Sequence, residues 1–321
     1  MNHKKICVIG AGNWGKNHIK TLDQISSLGG IVDVDSKILE KYKDKYPYIQ
    51  IFNDVDTAIN YGFDGYVVAT PAEKHYNIAK KIINSKNHIL IEKPITTTME
   101  DAIEICNLAK KKKVNLMVGH VLLFHPAFIK IKEIIDSGSI GDIQYLYSNR
   151  LNFGTIRTNE NVFWSFAPHD IALFQYIIGE NPISIQSSGN DIVQKGIHDT
   201  TLSVIKYPDN ITGHIFVSWL HPFKEHRFIV IGSKGMLHFE DSIEGKPLYY
   251  YDKKINWESG IPVINKKSST LIEYDFDKLP LQMELEYFIE HLDGKPVKIA
   301  NSTNAIEVMN ILTKVSEGLL K

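Results

Sequence analysis

The sequence predicts an α/β protein in two parts. An N-terminal doubly wound parallel sheet of the Rossmann type spans residues 1–120. An α+β domain with one large, open, mostly antiparallel sheet spans residues 121–321. Three observations predict this. Short apolar runs alternate with helix-length segments through the first 120 residues, as in parallel sheets joined by right-handed crossovers. Further on, strand-like runs follow one another directly, which reads as a meander. The first apolar run also ends in glycines spaced to receive a pyrophosphate.

In chain order, "KICVIG" is the first strand and "GKNHIKTLDQI" its helix. "GGIVDVD", "IQIFN", "GYVVAT", "HILIEK" and "VNLMVGH" supply five more strands. Helices run through "KILEKYKDKY", a short stretch after "IQIFN", "EKHYNIAKKIINS" and "MEDAIEICNLAKKKK". The basic run Lys110–Lys113 closes the last of these as a solvated C-terminal turn. Beyond residue 120, "AFIKIKEIIDSG" reads as a helix ended by Gly138, and "DIQYLYSNR" as a strand. "ISIQSSG", "TTLSVIKY", "TGHIFVSWL", "HRFIVIGSKGMLHFE" and "PLYYYD" are consecutive strands. "QMELEYFIEHL" and "AIEVMNILTKVSEGLL" close the sequence as helices.

Composition narrows the function. Hydrophobic residues make up 43% and charged residues 23%, the balance of an ordinary globular protein. A net charge of −1 gives no electrostatic footprint for nucleic acid or a membrane surface. No apolar run approaches the roughly 18 residues of a membrane span. "MNHKKICVIG" reads as the lead-in to a strand, not a signal peptide. Cys7 and Cys106 each sit in an apolar pattern without metal-ligand spacing, so reduced core thiols of a cytoplasmic protein are expected, and no metal.

The chemistry begins at "VIGAGNWGKN". Gly10, Gly12 and Gly15, with Asn13 and Trp14 between them, give G-x-G-x-x-G between a strand and a helix. The glycines permit a tight turn and close approach of a pyrophosphate, which would rest on the helix N-terminus. Asp33 follows at the distance of a ribose-binding acid. It would repel a 2′-phosphate, so NAD is expected over NADP. Asp35 could share that role or be a plain turn residue. Thr70 and Pro71 end the fourth strand, where ligands bind in such sheets. His75 opens the next helix, where a cap or a surface position is the ordinary role and a cofactor contact the functional one. Glu92, Lys93 and Pro94 end the fifth strand. A charged pair at the mouth of a buried strand is costly unless paired or used. A lysine beside a cationic nicotinamide would have its pKa lowered, which suits acid/base work.

These motifs together, with "TPAEKH", "GHVLLFHPAF" and "SGSIGDI", resemble the glucose-fructose oxidoreductase/inositol dehydrogenase/MocA (Gfo/Idh/MocA) family over nearly the whole chain. The resemblance implies NAD(P)-dependent oxidation of a sugar or cyclitol hydroxyl, with Lys93 as the motif lysine. It also implies that His169, in "VFWSFAPHDIALF", faces the nicotinamide from the second domain. Pro168 suits a first helical turn, Ile171, Phe174, Ile177 and Ile178 form an apolar stripe, and Gly179 ends the helix. A first-turn histidine feels the positive end of the helix and stays neutral, as a proton acceptor must. Asp170 is expected to act mainly as a first-turn cap. Ser165 stands where most of the family has Asp, so the acid/base work shifts to Lys93 and His169.

"RLNFGTIRTNENVFWSFAPHD" resembles the nucleotide-sugar branch of the family, the UDP-N-acetylglucosamine 3-dehydrogenases most of all. That implies a UDP-sugar substrate oxidised at C3 to a 3-keto sugar, which an aminotransferase of lipid A synthesis then uses. Arg150 and Arg157 could hold the diphosphate or be ordinary ion pairs. Trp164 could stack a base or a sugar, or belong to the core. His120 and His125 lie at the domain junction, where the sugar would sit. The competing readings are a dehydrogenase of another nucleotide sugar, a free sugar or inositol, and an NAD-binding regulator without activity. A homo-oligomer, dimer or tetramer, is expected because "TGHIFVSWL", with Trp219, is apolar on both faces.

Overall fold

The computed structural model describes residues 4–319, without side chains at 253–254 and 265–268. Residues 1–3, the basic start of the chain, and Leu320, the last residue of the final predicted helix, lie outside the described residues. The chain forms two compact units. Met1–Phe124 groups with Lys278–Met309, and His125–Asp277 groups with Asn310–Lys321.

The first unit holds β1 (Ile6–Ile9), α1 (Gly15–Gln24), β2 (Leu28–Val32), α2 (Ser36–Lys45), β3 (Gln50–Phe52), α3 (Val55–Tyr61), β4 (Gly65–Val68), α4 (Ala72–Asn84), β5 (His88–Glu92), α5 (Met99–Lys112) and β6 (Leu116–Gly119). The strand order is β3-β2-β1-β4-β5-β6, and every pairing is parallel. β1, β4 and β6 are buried at every residue, as expected of a sheet covered on both faces. The order reverses between β1 and β4. Ligands bind at the carboxyl ends of the strands beside such a switch point.

The second unit holds α6 (Pro126–Asp136), β7 (Ile143–Phe153), α7 (Val162–Phe166), α8 (Pro168–Ile178), β8 (Ser184–Asn190), β9 (Thr200–Lys206), β10 (Thr212–Ser218), β11 (Leu220–Gly232), β12 (Met236–Glu240), β13 (Leu248–Glu258) and β14 (Ile261–Ile272). Its sheet runs β14-β13-β12-β11-β7-β10-β9-β8. All neighbours are antiparallel except β7 and β10 at the centre. "HRFIVIGSKGMLHFE" is two strands rather than one, because the chain reverses at Ser233–Gly235 and the Gly232 N–H donates to the Gly235 carbonyl at 2.9 Å. The strand β14 has no counterpart in the sequence reading. The run "VFWSFAPHDIALF" divides at Pro168, which lacks an N–H and opens α8. Gly179 closes α8 at φ 76°.

Trp219 differs from its expected place. It is fully buried, its indole N–H donates to Asp199 at 2.5 Å, and its ring meets Phe166 edge-on. The large exposed apolar side chains of this sheet include Ile255, Trp257, Ile261 and Ile264 of the β13–β14 hairpin.

Two helices complete the chain, α9 (Pro280–Glu290) and α10 (Ser302–Leu319). α9 and the start of α10 group with the first unit, so a division at 120/121 misses them. The reason is packing. Leu285 and Phe288 are fully buried, and Phe288 and Leu292 close over Gly65, where an added Cβ would stand 3.1 and 2.7 Å from their side chains. Asn115 also donates to the carbonyls of His291 and Lys295 at 2.8 and 2.7 Å.

Candidate functional site

The loop after β1 has little conformational choice. Gly10 sits at φ 93°, and a Cβ there would lie 2.8 Å from the Ala69 carbonyl oxygen. A Cβ on Gly15 would lie 1.9 Å from the Gly10 carbonyl oxygen. Gly12 is exposed with nothing within 4 Å of a would-be Cβ, which leaves backbone open to a ligand. No side chain caps the N-terminus of α1; its Lys16 and Asn17 amides donate to the Gly12 and Trp14 carbonyls at 3.1 and 2.9 Å, and the helix end carries the positive pole of its dipole. Asp33 follows β2. Its Oδ2 accepts from the Ala11 N–H at 2.8 Å and its Oδ1 from the Asp35 N–H at 3.0 Å, so the loop itself aims the carboxylate. Asp35 is the N-cap of α2, accepting from the Lys37 N–H at 2.9 Å, which is the turn role. The cradle, the positive helix end and the aimed acid all fit a dinucleotide.

The next two strand ends lie along the same edge. Thr70 and Pro71 follow β4, and Glu92, Lys93 and Pro94 end β5 and begin the turn beyond it, with the Lys93–Pro94 bond cis. His75 is neither a cap nor a surface residue. It is buried, and its Nε2 and Nδ1 each lie 2.9 Å from a carbonyl oxygen, those of Thr70 and Pro94. The ring stands between the two strand ends, and in its neutral form its one N–H donates to one of these two carbonyls. Glu92 is also occupied. Its carboxylate accepts from the Trp14 indole, from His18 Nε2 at 2.6 Å and from the Lys93 N–H at 3.2 Å. Lys93 is half-buried. His120, just past β6, is buried, and burial together with the Lys93 charge pushes its pKa down to about 3, so the ring is neutral at ordinary pH.

In the second unit His169 occupies the first turn of α8, half-buried. Beside it Asp170 is fully buried and does more than cap. Its Oδ2 and Oδ1 accept from Arg150 Nε and Nη2, each at 2.9 Å, and Oδ1 also accepts from Ser148 Oγ at 2.6 Å. Arg150 on β7 thus spends two donors of its fork on the helix that carries His169. Arg157 lies in the exposed loop after β7, 3.6 Å from Glu160. Trp164 is half-buried and its indole N–H donates to Ser316 Oγ at 2.7 Å. Ser165 is buried in α7. His125 is the N-cap of α6, its Nδ1 accepting from the Ala127 N–H at 3.1 Å, with Phe128, Phe239 and Tyr274 around the ring.

Two residues of the first unit lie outside the sequence reading, His18 and Glu284. Each carried a signal: a polar residue at a buried phase of an amphipathic helix. His18 adjoins Ile19 and Leu22 on α1, and Glu284 adjoins Leu285 and Phe288 on α9; all are buried.

Residues 4–120 match a family model described as an oxidoreductase family with an NAD-binding Rossmann fold, and residues 128–238 match the GFO/IDH/MocA C-terminal domain. A myo-inositol 2-dehydrogenase from Thermotoga maritima is 26% identical over 264 residues, 78% of this chain and 79% of that protein. A UDP-N-acetylglucosamine 3-dehydrogenase from Acidithiobacillus ferrooxidans is 27% identical over 190 residues, 59% of each chain. The solved structure of the Acidithiobacillus ferrooxidans enzyme has a TM-score of 0.86 to this chain at 22% identity, covering 99% of this chain and 98% of that one, a likeness of fold. The two family models, in tandem along the chain and in the order of its two sheets, place this protein in the Gfo/Idh/MocA oxidoreductase family, with an NAD-binding Rossmann domain.

Proposed function

We propose that the protein is an NAD-dependent dehydrogenase that oxidises a secondary hydroxyl of a sugar, with the C3 hydroxyl of UDP-N-acetylglucosamine as its best substrate. The observation that carries the dehydrogenase reading is the turn after β5. Glu92, Lys93 and Pro94 follow one another at the carboxyl end of β5, the edge at which parallel sheets of this kind take their ligands. Bound NAD supplies the hydride acceptor. Gly10, Gly12, Asn13, Trp14 and Gly15 hold its pyrophosphate side, Asp33 its ribose, and Thr70 and Pro71 line the approach. Lys93 Nζ takes the hydroxyl proton as the carbon loses hydride, since loss of hydride needs electron density released from oxygen. His169 orients that hydroxyl. Ser165 brings no carboxylate to stabilise an imidazolium, so Lys93 is the terminal base. Neutral His120, close enough for the Lys93 charge to perturb it, contacts the sugar without adding charge.

The nucleotide-sugar reading rests on likeness to the UDP-N-acetylglucosamine enzyme and on Arg157, since Arg150 is committed to Asp170. That commitment favours a second reading, oxidation of inositol or a free sugar, and the inositol dehydrogenase relative matches more of the chain. Absorbance at 340 nm with NAD and each of UDP-N-acetylglucosamine, N-acetylglucosamine and myo-inositol separates the two. NADH formation with the UDP-sugar, and a 3-keto product by mass spectrometry, is expected. Turnover of myo-inositol alone overturns the nucleotide-sugar reading, and no turnover with any sugar or cyclitol points to a regulator.

A further inference from the structure

Glu92 gathers more of the first unit than its place at a strand end requires. Its buried carboxylate accepts from the Trp14 indole in the glycine-rich loop, from His18 on α1 and from the Lys93 backbone. With His18 Nδ1 unpartnered, the Nε2–H tautomer puts the donor on Glu92. Gly119 on β6 leaves room for the group: a Cβ there would lie 3.0 Å from the carboxyl carbon and from both oxygens. Glu284 on α9 is fully buried with no hydrogen-bond partner on either oxygen, and burial with the Glu92 charge holds its carboxyl well above the usual range. A carboxylate without donors is not kept ionised in such a place. The two acids therefore carry one negative charge, and it resides on Glu92, which has the donors.

We propose that Glu92 is a positioning residue that acts in two directions, holding the glycine-rich loop in its cofactor-binding form through Trp14 and serving as the buried counter-charge of the Lys93 ammonium. The proposal rests on the reading of Lys93 as the base. Within the first unit the titratable groups around this turn are Glu92 on β5, His18 on α1, His75 on α4, His120 after β6 and Glu284 on α9. Of these, Glu92 offers a carboxylate held by three donors, and His120 is neutral.

The test uses unliganded, full-length protein and needs no turnover. Lysines are reductively methylated with 13C-formaldehyde, the Lys93 signal is assigned by its loss in Lys93→Met, and its titration is followed by NMR. NAD affinity is measured by calorimetry. Glu92→Gln keeps the shape and removes the charge. It should lower the Lys93 midpoint by about one pH unit, tenfold in acid constant, because the carboxylate favours the ammonium. It should also weaken NAD binding roughly tenfold. Trp14→Phe, at an exposed ring, should weaken NAD binding several-fold and leave the Lys93 midpoint in place. An unmoved Lys93 midpoint in Glu92→Gln overturns the counter-charge role. Unchanged NAD affinity in Trp14→Phe overturns the loop role, even if Glu92→Gln fails to fold. Failure of the dehydrogenase reading shows separately, as a Lys93→Met variant that keeps its kcat.

Discussion

Replacing Arg150 with alanine should unfold the second unit more easily rather than weaken substrate binding. Asp170 is fully buried, and its three hydrogen bonds come from Arg150 Nε, Arg150 Nη2 and Ser148 Oγ. Without the guanidinium, one hydroxyl donor faces a desolvated carboxylate. Breaking a buried pair from one side costs about 3–5 kcal/mol, because the surviving charge is left uncompensated. In a unit of this size each kcal/mol moves Tm by about 2–4 °C, so a drop of roughly 6–20 °C is expected. Differential scanning calorimetry resolves the transition, and NAD affinity serves as the control, since the glycine loop belongs to the first unit. Replacing both partners, Arg150→Met with Asp170→Leu, should recover most of the loss, because neither charge then remains buried alone. Arg157→Ala is the contrast: the side chain is half exposed, so the melt should stay within about 0.5 kcal/mol of the parent, while KM for the UDP-sugar rises by ~1.5–3 kcal/mol equivalent. If Arg150→Ala leaves the melt unchanged and raises KM instead, Arg150 is a phosphate ligand and the reasoning fails.

Lys93→Met and His169→Ala should each lower kcat by about 10²–10⁴-fold with NAD still bound, and the double variant should lose less than the product; near-parental kcat in either single variant makes that residue structural. Asp33→Ala should narrow the preference for NAD over NADP in binding titrations, and a parent that already prefers NADP contradicts the role of Asp33. Glu284 makes stability depend on pH. Its folded pKa is raised, so its contribution is fully present below the unfolded value near 4.3 and is lost as pH rises toward the folded value. Glu284→Gln lacks that loss and should gain on the parent by up to about 1.4 kcal/mol per pH unit above pH 4.3 in urea titrations; a difference flat from pH 5 to 9 means Glu284 is ionised. A homo-oligomer is expected from the exposed Ile255, Trp257, Ile261 and Ile264, and Trp257→Lys should shift it toward monomer in light scattering; a parental monomer at micromolar concentration contradicts the expectation.

The six-stranded sheet was legible because its strands are short, apolar and separated by helices, so periodicity and turn residues agree. The last strand of the second sheet was not: "IPVINKKSSTLI" places Lys266, Lys267, Ser268 and Ser269 in its middle, and an edge strand tolerates what a buried one would not. The glycine loop is readable as a motif, because its spacing between a strand and a helix carries its geometry; the lysine turn is marked only by its place at a strand end and by family likeness. The partners of Arg150, His75 and Glu92 are not readable. An ion pair between β7 and α8, a histidine between two strand ends, and a carboxylate shared by a loop and a helix are contacts between elements, and local pattern says nothing about which side chain closes on which. Asp170 is a case in point: its place in a first turn points to a cap, whereas the structure makes it the buried partner of Arg150 and Ser148.

The return of α9 to the first unit has a consequence for how the chain is made. A ribosome delivers β1 to β6 long before α9, because the whole of His125–Asp277 lies between them. At roughly 5–20 residues per second the wait is on the order of 8–30 s. Throughout it the apolar ground around Gly65, later roofed by Phe288 and Leu292, stands open. The nascent Rossmann sheet is therefore a ready client for a holding chaperone. A gene permuted to begin at Lys278, so that α9 emerges first, should yield a first unit that matures while still on the ribosome.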